Sequence, residues 1–292
     1  MSRPVRWSRV ATHVTLLVTS VTMILPFVWM MVTSFKSPQD IAATPTKWLP
    51  TAWHGGNYSQ ALKAAPFGTY LRNSVIISIA HTALNVLFAS LAGYALARYR
   101  FRGRQLVFYG FVATLMIPTY TKIVPQFIIA KNMPLFGGNN VLGQGGSGWI
   151  DTWWALIVPG AVTPFAVFLF RQFYLSFPRE LEEAARMDGM GEFRIWARIA
   201  SPLVKPAFLT VALLTFQESF NNFLWPLLVT TRDNLRTIQV GLAVFRQQGG
   251  DTGVTQWNLL MAASAMATLP MIVLFLLTQR YFVRGLATVG IR

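Results

Sequence analysis

The carboxylates of this 292-residue chain are few, and half of them lie in one short stretch. Residues 176–202 read SFPRELEEAARMDGMGEFRIWARIASP and hold five of the ten acids, interleaved with arginines. Charges of both signs around apolar residues are typical of a surface that docks another protein. The stretch is therefore a candidate docking surface. Its acids are Glu180, Glu182, Glu183, Asp188 and Glu192.

Local signals in this stretch predict a helix, a glycine turn and a second helix. Pro178 suits the first helical turn, because its missing N–H would be unpaired there. The helix dipole favours the acids that follow, and Gly189 or Gly191 provides a stop. The second helix, EFRIWARIA, is expected to present an apolar face that contains Phe193, Trp196 and Ala197. Such an element could also lie on lipid headgroups through its arginines. An anionic leaflet would repel the acids, so protein docking is favoured.

A second group of polar side chains interrupts an apolar run. Residues 203–229 read LVKPAFLTVALLTFQESFNNFLWPLLV, and QESFNN follows Phe216. Polar side chains at membrane depth are costly unless they face protein or water, and transporters place solute sites at such breaks. The alternative is that the span ends at Phe216 and 223–229 is a re-entrant or interfacial loop. The solute-path candidates are Gln217, Glu218, Asn221, Asn222 and Trp225.

Asn85 is a further solute-path candidate within the apolar run 71–97. Polar residues recur there at three- and four-residue spacings, which places them near one helical face. That face could line a pore, although such faces more often form interhelical hydrogen bonds. The residues are Ser74, Ser78, His81, Thr82 and Asn85.

Several function classes are disfavoured by what the chain lacks. It has no cysteine and three histidines, and it contains neither an HExxH zinc motif nor a G-x-x-x-x-G-K-[ST] phosphate loop. We therefore expect a non-catalytic protein without a metal site. No acid lies in the middle of a clear apolar run, which disfavours a carrier coupled to protons or sodium. The energy for transport is expected to come from another subunit.

Six apolar runs are long enough to cross a bilayer, for which about 20 residues suffice. The sequence thus predicts an all-α, polytopic membrane protein with a single transmembrane domain over residues 1–292. The first run is too long for a signal peptide and has no small-residue cleavage site after it, so it is predicted to be a retained span. The predicted spans are about 10–34, 71–97, 106–130, 152–175, 203–229 and 258–282.

The basic residues predict the orientation. With six spans and the N-terminus inside, sixteen of the 25 lysines and arginines lie in the cytoplasmic pieces 1–9, 98–105, 171–205 and 280–292. This distribution follows the positive-inside rule and places both termini in the cytoplasm. It also accounts for the net charge of +15 without nucleic acid. Residues 35–70 and 132–151 become outer loops, and the second, rich in glycine, is expected to be flexible.

The string EAARMDGMGEFRIWARIASP resembles the cytoplasmic EAA loop of the inner-membrane permeases of ATP-binding cassette (ABC) importers. The family pattern is EAA, three residues, Gly, nine residues, then Ile-x-Leu-Pro, and Ser201 stands where leucine is usual. YLRNSVIISI, GYALARYRFRGR, NNFLWPLL and QRYFVRGL resemble the carbohydrate branch, although Asn222 replaces a common carboxylate. The matching loop residues are Glu183, Ala184, Ala185, Gly189, Ile199 and Pro202.

The resemblance implies a type I importer permease in a bacterial or archaeal plasma membrane. It implies a second homologous permease chain, two ATPase subunits that bind ATP and magnesium, and an extracytoplasmic solute-binding protein. No cofactor is implied in this chain. The implied solute is a sugar or oligosaccharide; glycerol-phosphate or a polyol is the alternative within the family, and an ion-coupled secondary transporter is the alternative outside it. The loop would couple to the ATPase through Glu183, Ala184, Ala185, Asp188, Gly189 and Phe193.

Overall fold

The computed structural model describes residues 7–248 and 255–289, and all regular structure within them is helical. The predicted all-α class is confirmed for these residues. A π-helical turn (Trp196–Ala200) joins α10 to α11, and a 3-10 turn (Asp233–Leu235) precedes α14. The α-helices are α1 (Trp7–Ser34), α2 (Pro38–Ala42), α3 (Gly56–Ala64), α4 (Phe67–Arg98), α5 (Arg104–Leu115), α6 (Thr119–Lys131), α7 (Trp153–Ile157), α8 (Pro164–Ser176), α9 (Glu180–Met187), α10 (Glu192–Ile195), α11 (Ser201–Leu203), α12 (Lys205–Asn221), α13 (Leu224–Val229), α14 (Ile238–Gln248) and α15 (Trp257–Val289).

Three helices in the described part of the chain are long and apolar enough to cross a membrane, and two bent pairs raise the number to as many as five. The three are Val10–Ser34, Phe67–Arg98 and Trp257–Gln279. The bent pairs are Arg104–Leu115 with Thr119–Lys131, at 107°, and Glu192–Leu203 with Lys205–Asn221, at 84°. Three of the six predicted spans therefore correspond to single long helices.

The other three predicted spans contain breaks. Pro118 disfavours a helical conformation at the residue before it, and α5 ends at Leu115 just upstream. Residues 158–163 separate α7 from α8 and contain Pro159 and Gly160, which has φ +91°. The fifth run breaks between α12 and α13, after QESFN has continued as helix. Helix α12 therefore continues past Phe216, and the place where the membrane span ends stays a prediction.

The described residues divide into two compact units, one within Met1–Gly68 and Gly241–Leu269 and the other within Thr69–Val240 and Pro270–Arg292. In the first unit, Asn57 donates to the carbonyl of Ser34 at 2.8 Å and accepts from Asn258 at 3.2 Å. Asp40 accepts from the hydroxyl of Thr51 at 2.6 Å and from its amide at 2.9 Å. The segment predicted as an outer loop is thus held by buried polar contacts around α2 and α3.

The core of the second unit lies where α4, α8 and α12 pack together. Ala89, Gly93 and Ala97 recur at four-residue spacing on α4, and such small residues let helix backbones approach closely. A β-carbon on Gly93 would lie 2.6 Å from Cβ of Phe170 on α8. The large side chains of this core are Phe170 and Tyr174 from α8, Tyr94 from α4 and Trp196 from the π-helical turn, and Val211 contributes from α12.

The glycine-rich segment 132–151 is organised by hydrogen bonds. The side-chain nitrogen of Asn139 donates to the carbonyls of Lys131 and Met133, at 2.8 and 3.0 Å. Its side-chain oxygen accepts from the backbone amide of Gly146 at 2.7 Å. A β-carbon on Gly148, which has φ +58°, would lie 2.3 Å from the Lys131 carbonyl oxygen. The glycines allow a compact fold in which backbone segments approach closely, and the expectation of a flexible loop stays a prediction.

Candidate functional site

The helix–turn–helix predicted at 176–202 is present as α9, a turn and α10. Helix α9 ends at Met187, and Gly189 adopts φ +80°, a left-handed conformation that glycine takes without strain. The amide of Met190 donates to the carbonyl of Ala185 at 3.0 Å, which closes the helix end. The turn therefore falls at Gly189 and not at Gly191, which has φ −72°.

Helix α9 has an exposed face and a buried face. Glu183, Ala184 and Met187 are exposed, and their three- and four-residue spacings place them on one side of the helix. On the other side, Glu182 and Ala185 are buried. Of the predicted coupling residues, Glu183, Ala184, Asp188, Gly189 and Phe193 are exposed. Ala185, also among the predicted coupling residues, is buried inside the chain.

The apolar part of the exposed surface differs from the predicted one. Trp196 is buried, and its Nε1 donates to the hydroxyl of Tyr174 at 3.2 Å, so its place on an exposed apolar face is a wrong prediction. Phe193 is 68% exposed, and Met187 is 88% exposed. Sequence reasoning missed Met187, although its position four residues after Glu183 was the available signal.

An ionic network lies under the exposed surface, and the sequence did not reveal it. Arg98 Nε lies 3.2 Å from Glu182 Oε1, and both side chains are buried. Arg186 donates to both carboxylate oxygens of Glu192, at 2.6 and 3.1 Å. These bonds lower the pKa of Glu192 and raise the pKa of Arg186. No local spacing could identify Arg98 as a partner, because four helices, α5 to α8, separate it from the loop.

The polar residues of the predicted solute path fall into two groups. Gln217, Glu218 and Asn221 are exposed on the last turns of α12, and Asn222 is half-buried. The Asn222 side chain accepts from the amide of Trp225 at 3.3 Å. These residues therefore lie at the end of α12, where the chain breaks before α13.

Asn85 and Trp225 are packing residues in this structure. Asn85 has no exposed surface; its nitrogen donates to the hydroxyls of Thr163 and Thr215, at 3.1 and 2.8 Å, and its oxygen accepts from the Thr163 amide at 2.9 Å. Trp225 is buried, and its Nε1 donates to the Ala155 carbonyl at 2.8 Å. Their polar atoms are bonded within the chain, and their predicted place on a solute path stays a prediction. The interhelical alternative describes Asn85.

Within the described ranges, no group of three histidine, aspartate or glutamate side chains could hold a metal ion. The candidate sites are the exposed surface of α9 with its turn, and the polar end of α12.

Known proteins resemble this chain over most of its length. The family model for a binding-protein-dependent transport system inner membrane component matches residues 85–288. The chain is 33% identical over 269 residues to the probable ABC transporter permease protein YurM of Bacillus subtilis, covering 91% of this chain and 83% of YurM. It is 37% identical over 230 residues to the arabinooligosaccharides transport system permease protein AraQ of Halalkalibacterium halodurans, covering 79% and 76%.

Two further comparisons concern another solute class and the fold. The chain is 34% identical over 254 residues to the sn-glycerol-3-phosphate transport system permease protein UgpE of Yersinia pestis, covering 86% of this chain and 84% of UgpE. It superposes with a TM-score of 0.80, at 20% identity, on a chain of a bacterial ABC transporter involved in the import of the acidic polysaccharide alginate. That likeness covers 97% of this chain and 100% of the other, and it shows a shared fold.

Proposed function

Because this chain belongs to the family of binding-protein-dependent transport system inner membrane components, we propose that it imports a sugar or oligosaccharide. It forms the path with a second, homologous permease chain, and an extracytoplasmic binding protein delivers the solute. AraQ belongs to an arabinooligosaccharides system, which supports a saccharide. UgpE belongs to an sn-glycerol-3-phosphate system, which supports glycerol-phosphate as the second candidate.

In this proposal the chain is one permease domain with six spans, in a bacterial inner membrane, and both termini are cytoplasmic. The three long helices, the bent pair of α5 and α6, and α12 supply five spans. The sixth comprises α7 and α8 with the break at Pro159 and Gly160. The arginine-rich loop after α4 and the segment from α8 to α12 lie on the cytoplasmic side, in agreement with the positive-inside rule.

The exposed face of α9 docks on an ATPase subunit. That subunit, and not this chain, binds ATP and magnesium. The observation that carries the assignment is the contrast between adjacent glutamates: Glu183 is exposed, whereas Glu182 is buried in an ion pair. Exposed Met187 and Phe193 supply an apolar centre, and Glu183 and Asp188 supply a charged rim, as in protein interfaces. Gly189 sets the angle between this face and α10.

The docking surface is tested by replacing Glu183 with Lys in the complete importer. Charge reversal within an interfacial ion pair is expected to weaken the association with the ATPase subunit by more than about tenfold. Co-purification of ATPase subunits with the permease pair, followed by titration of purified ATPase, measures the change. Wild-type affinity in Glu183→Lys would exclude this face as the docking surface.

The turn provides a matched pair of glycine variants. Gly189→Ala places a β-carbon at φ +80°, a conformation that costs other residues about 1–3 kcal/mol. Gly191→Ala places one at φ −72°, in open space, and serves as the control. Reduced uptake in the first variant alone is the expected result. Equal uptake in both would contradict a fixed turn angle.

The solute path is proposed to include Gln217, Glu218, Asn221 and Asn222, with Asn85 and Trp225 holding the helices around them. Asn221→Leu is expected to raise the KM for uptake or to change the preference among arabinooligosaccharides, alginate oligosaccharides and glycerol-phosphate. Gln105→Leu, at an exposed position on α5, is the control. Identical kinetics and preference in both variants would remove Asn221 from the path.

A further inference from the structure

A buried ion pair joins the docking helix to the end of a spanning helix. Arg98 is the last residue of α4, and its Nε lies 3.2 Å from Oε1 of Glu182 on α9. Each side chain is at most 3% exposed. Arg98 Nη2 also donates to the Phe177 carbonyl at 2.8 Å, and the guanidinium lies 4.0 Å from the centre of the Phe177 ring. One arginine therefore holds together α4, α9 and the segment between α8 and α9.

The ion pair fixes where α9 lies against α4, and it adds little to the stability of the fold. Desolvation of two buried charges offsets their attraction, so apolar side chains of similar size are often equally stabilising. Removing one partner, in contrast, leaves an uncompensated buried charge. The end of α4 and the inner face of α9 are consequently held at one relative position.

Further contacts fix the docking helix to its surroundings. Arg186 joins α9 to α10 through its two bonds to Glu192, and its Nη2 lies 3.9 Å from Oε2 of Glu182. Trp196, in the turn that follows α10, donates to Tyr174 on α8. Helix α9 thus contacts α4 and α10 directly, and the turn that follows α10 contacts α8.

We propose that Glu182 and Arg98 are positioning residues that transmit the movement of the docking helix to α4, a spanning helix. The inference rests on the proposed function, in which an ATPase subunit moves α9. Glu183 contacts the ATPase, and Glu182 fastens the same helix to the membrane part. Neighbouring glutamates in one motif thus have separate roles, one in docking and one in transmission.

The test uses the complete importer in proteoliposomes and measures solute taken up per ATP hydrolysed, at equal amounts of assembled complex. The transported solute is one that the importer's extracytoplasmic binding protein binds. Glu182→Gln and Arg98→Gln are each expected to lower this ratio by at least about fivefold, a common size for coupling between sites. The ATPase subunits remain bound, because the exposed face is intact. Arg102→Gln, at an exposed arginine four residues after Arg98, is the matched control and keeps the wild-type ratio.

A double variant separates transmission from folding. Arg98→Met with Glu182→Met removes both charges, so no uncompensated charge remains and assembly is expected to recover. The ratio of uptake to ATP hydrolysis stays low if the ion pair sets the position of α9. A wild-type ratio in the double variant, or in both single variants, overturns the proposal. The proposed docking surface is tested separately, by measuring how tightly the ATPase subunit binds the Glu183→Lys variant.

Discussion

Gly93 lies where α4 approaches α8, and Gly93→Ala tests how closely these helices must pack. A β-carbon at this position would lie 2.6 Å from Cβ of Phe170 and 2.9 Å from the backbone nitrogen of Arg171. Both atoms belong to the body of α8, so no side-chain rotation relieves the overlap. The two helices must separate, or α4 must rotate.

The magnitude follows from two opposing effects. Overpacking of a tight interface costs about 1–3 kcal/mol, whereas replacing glycine by alanine inside a helix gains about 1 kcal/mol. Gly110→Ala on α5 isolates the second effect, because a β-carbon at Gly110 has no neighbour within 4 Å. The difference between the two variants is therefore the cost of the overlap, and Gly93→Ala should be the less stable by about 1–3 kcal/mol.

Denaturant titration of the purified chain in detergent measures both free energies of unfolding. Uptake by the reconstituted importer shows whether the separation of α4 and α8 also impairs transport. A Gly93→Ala chain as stable as Gly110→Ala would refute the close approach of the two helices.

Three further predictions concern polar contacts. Asn85→Leu leaves its threonine partners on two other segments unbonded, and denaturant titration should show a loss of about 1–3 kcal/mol; unchanged stability would contradict its packing role. The bonds from Arg186 lower the pKa of Glu192, so they stabilise the turn above the ordinary carboxyl pKa of about 4.3 and are lost as pH falls through the lowered pKa. Hydrogen exchange should show this acid-dependent loss of protection in the wild type and not in Glu192→Gln. The pKa of Asp40 is likewise lowered, first by the hydroxyl of Thr51, and Asp40→Asn should increase proteolysis of residues 36–53; resistance equal to wild type would contradict this.

The sequence was sufficient wherever the evidence was local. The spacing of Glu183 and Gly189 in the EAA loop indicated the family, which the comparisons confirm. Acids at a helix start, a glycine at its end and a second short helix were all read correctly, because capping and turn preferences act over a few residues. The apolar run lengths indicated helices of membrane length, and three of the runs form single ones.

Only the tertiary structure decided which side of each element faces inward. The EAA pattern marked Glu183, but only the fold shows that the adjacent Glu182 is buried against Arg98, which lies far along the chain. Likewise, Asn85 is a packing residue because two distant threonines accept its hydrogen bonds. Periodicity places residues on a face of a helix, but burial and pairing depend on what packs against that face, and those partners come from distant parts of the chain.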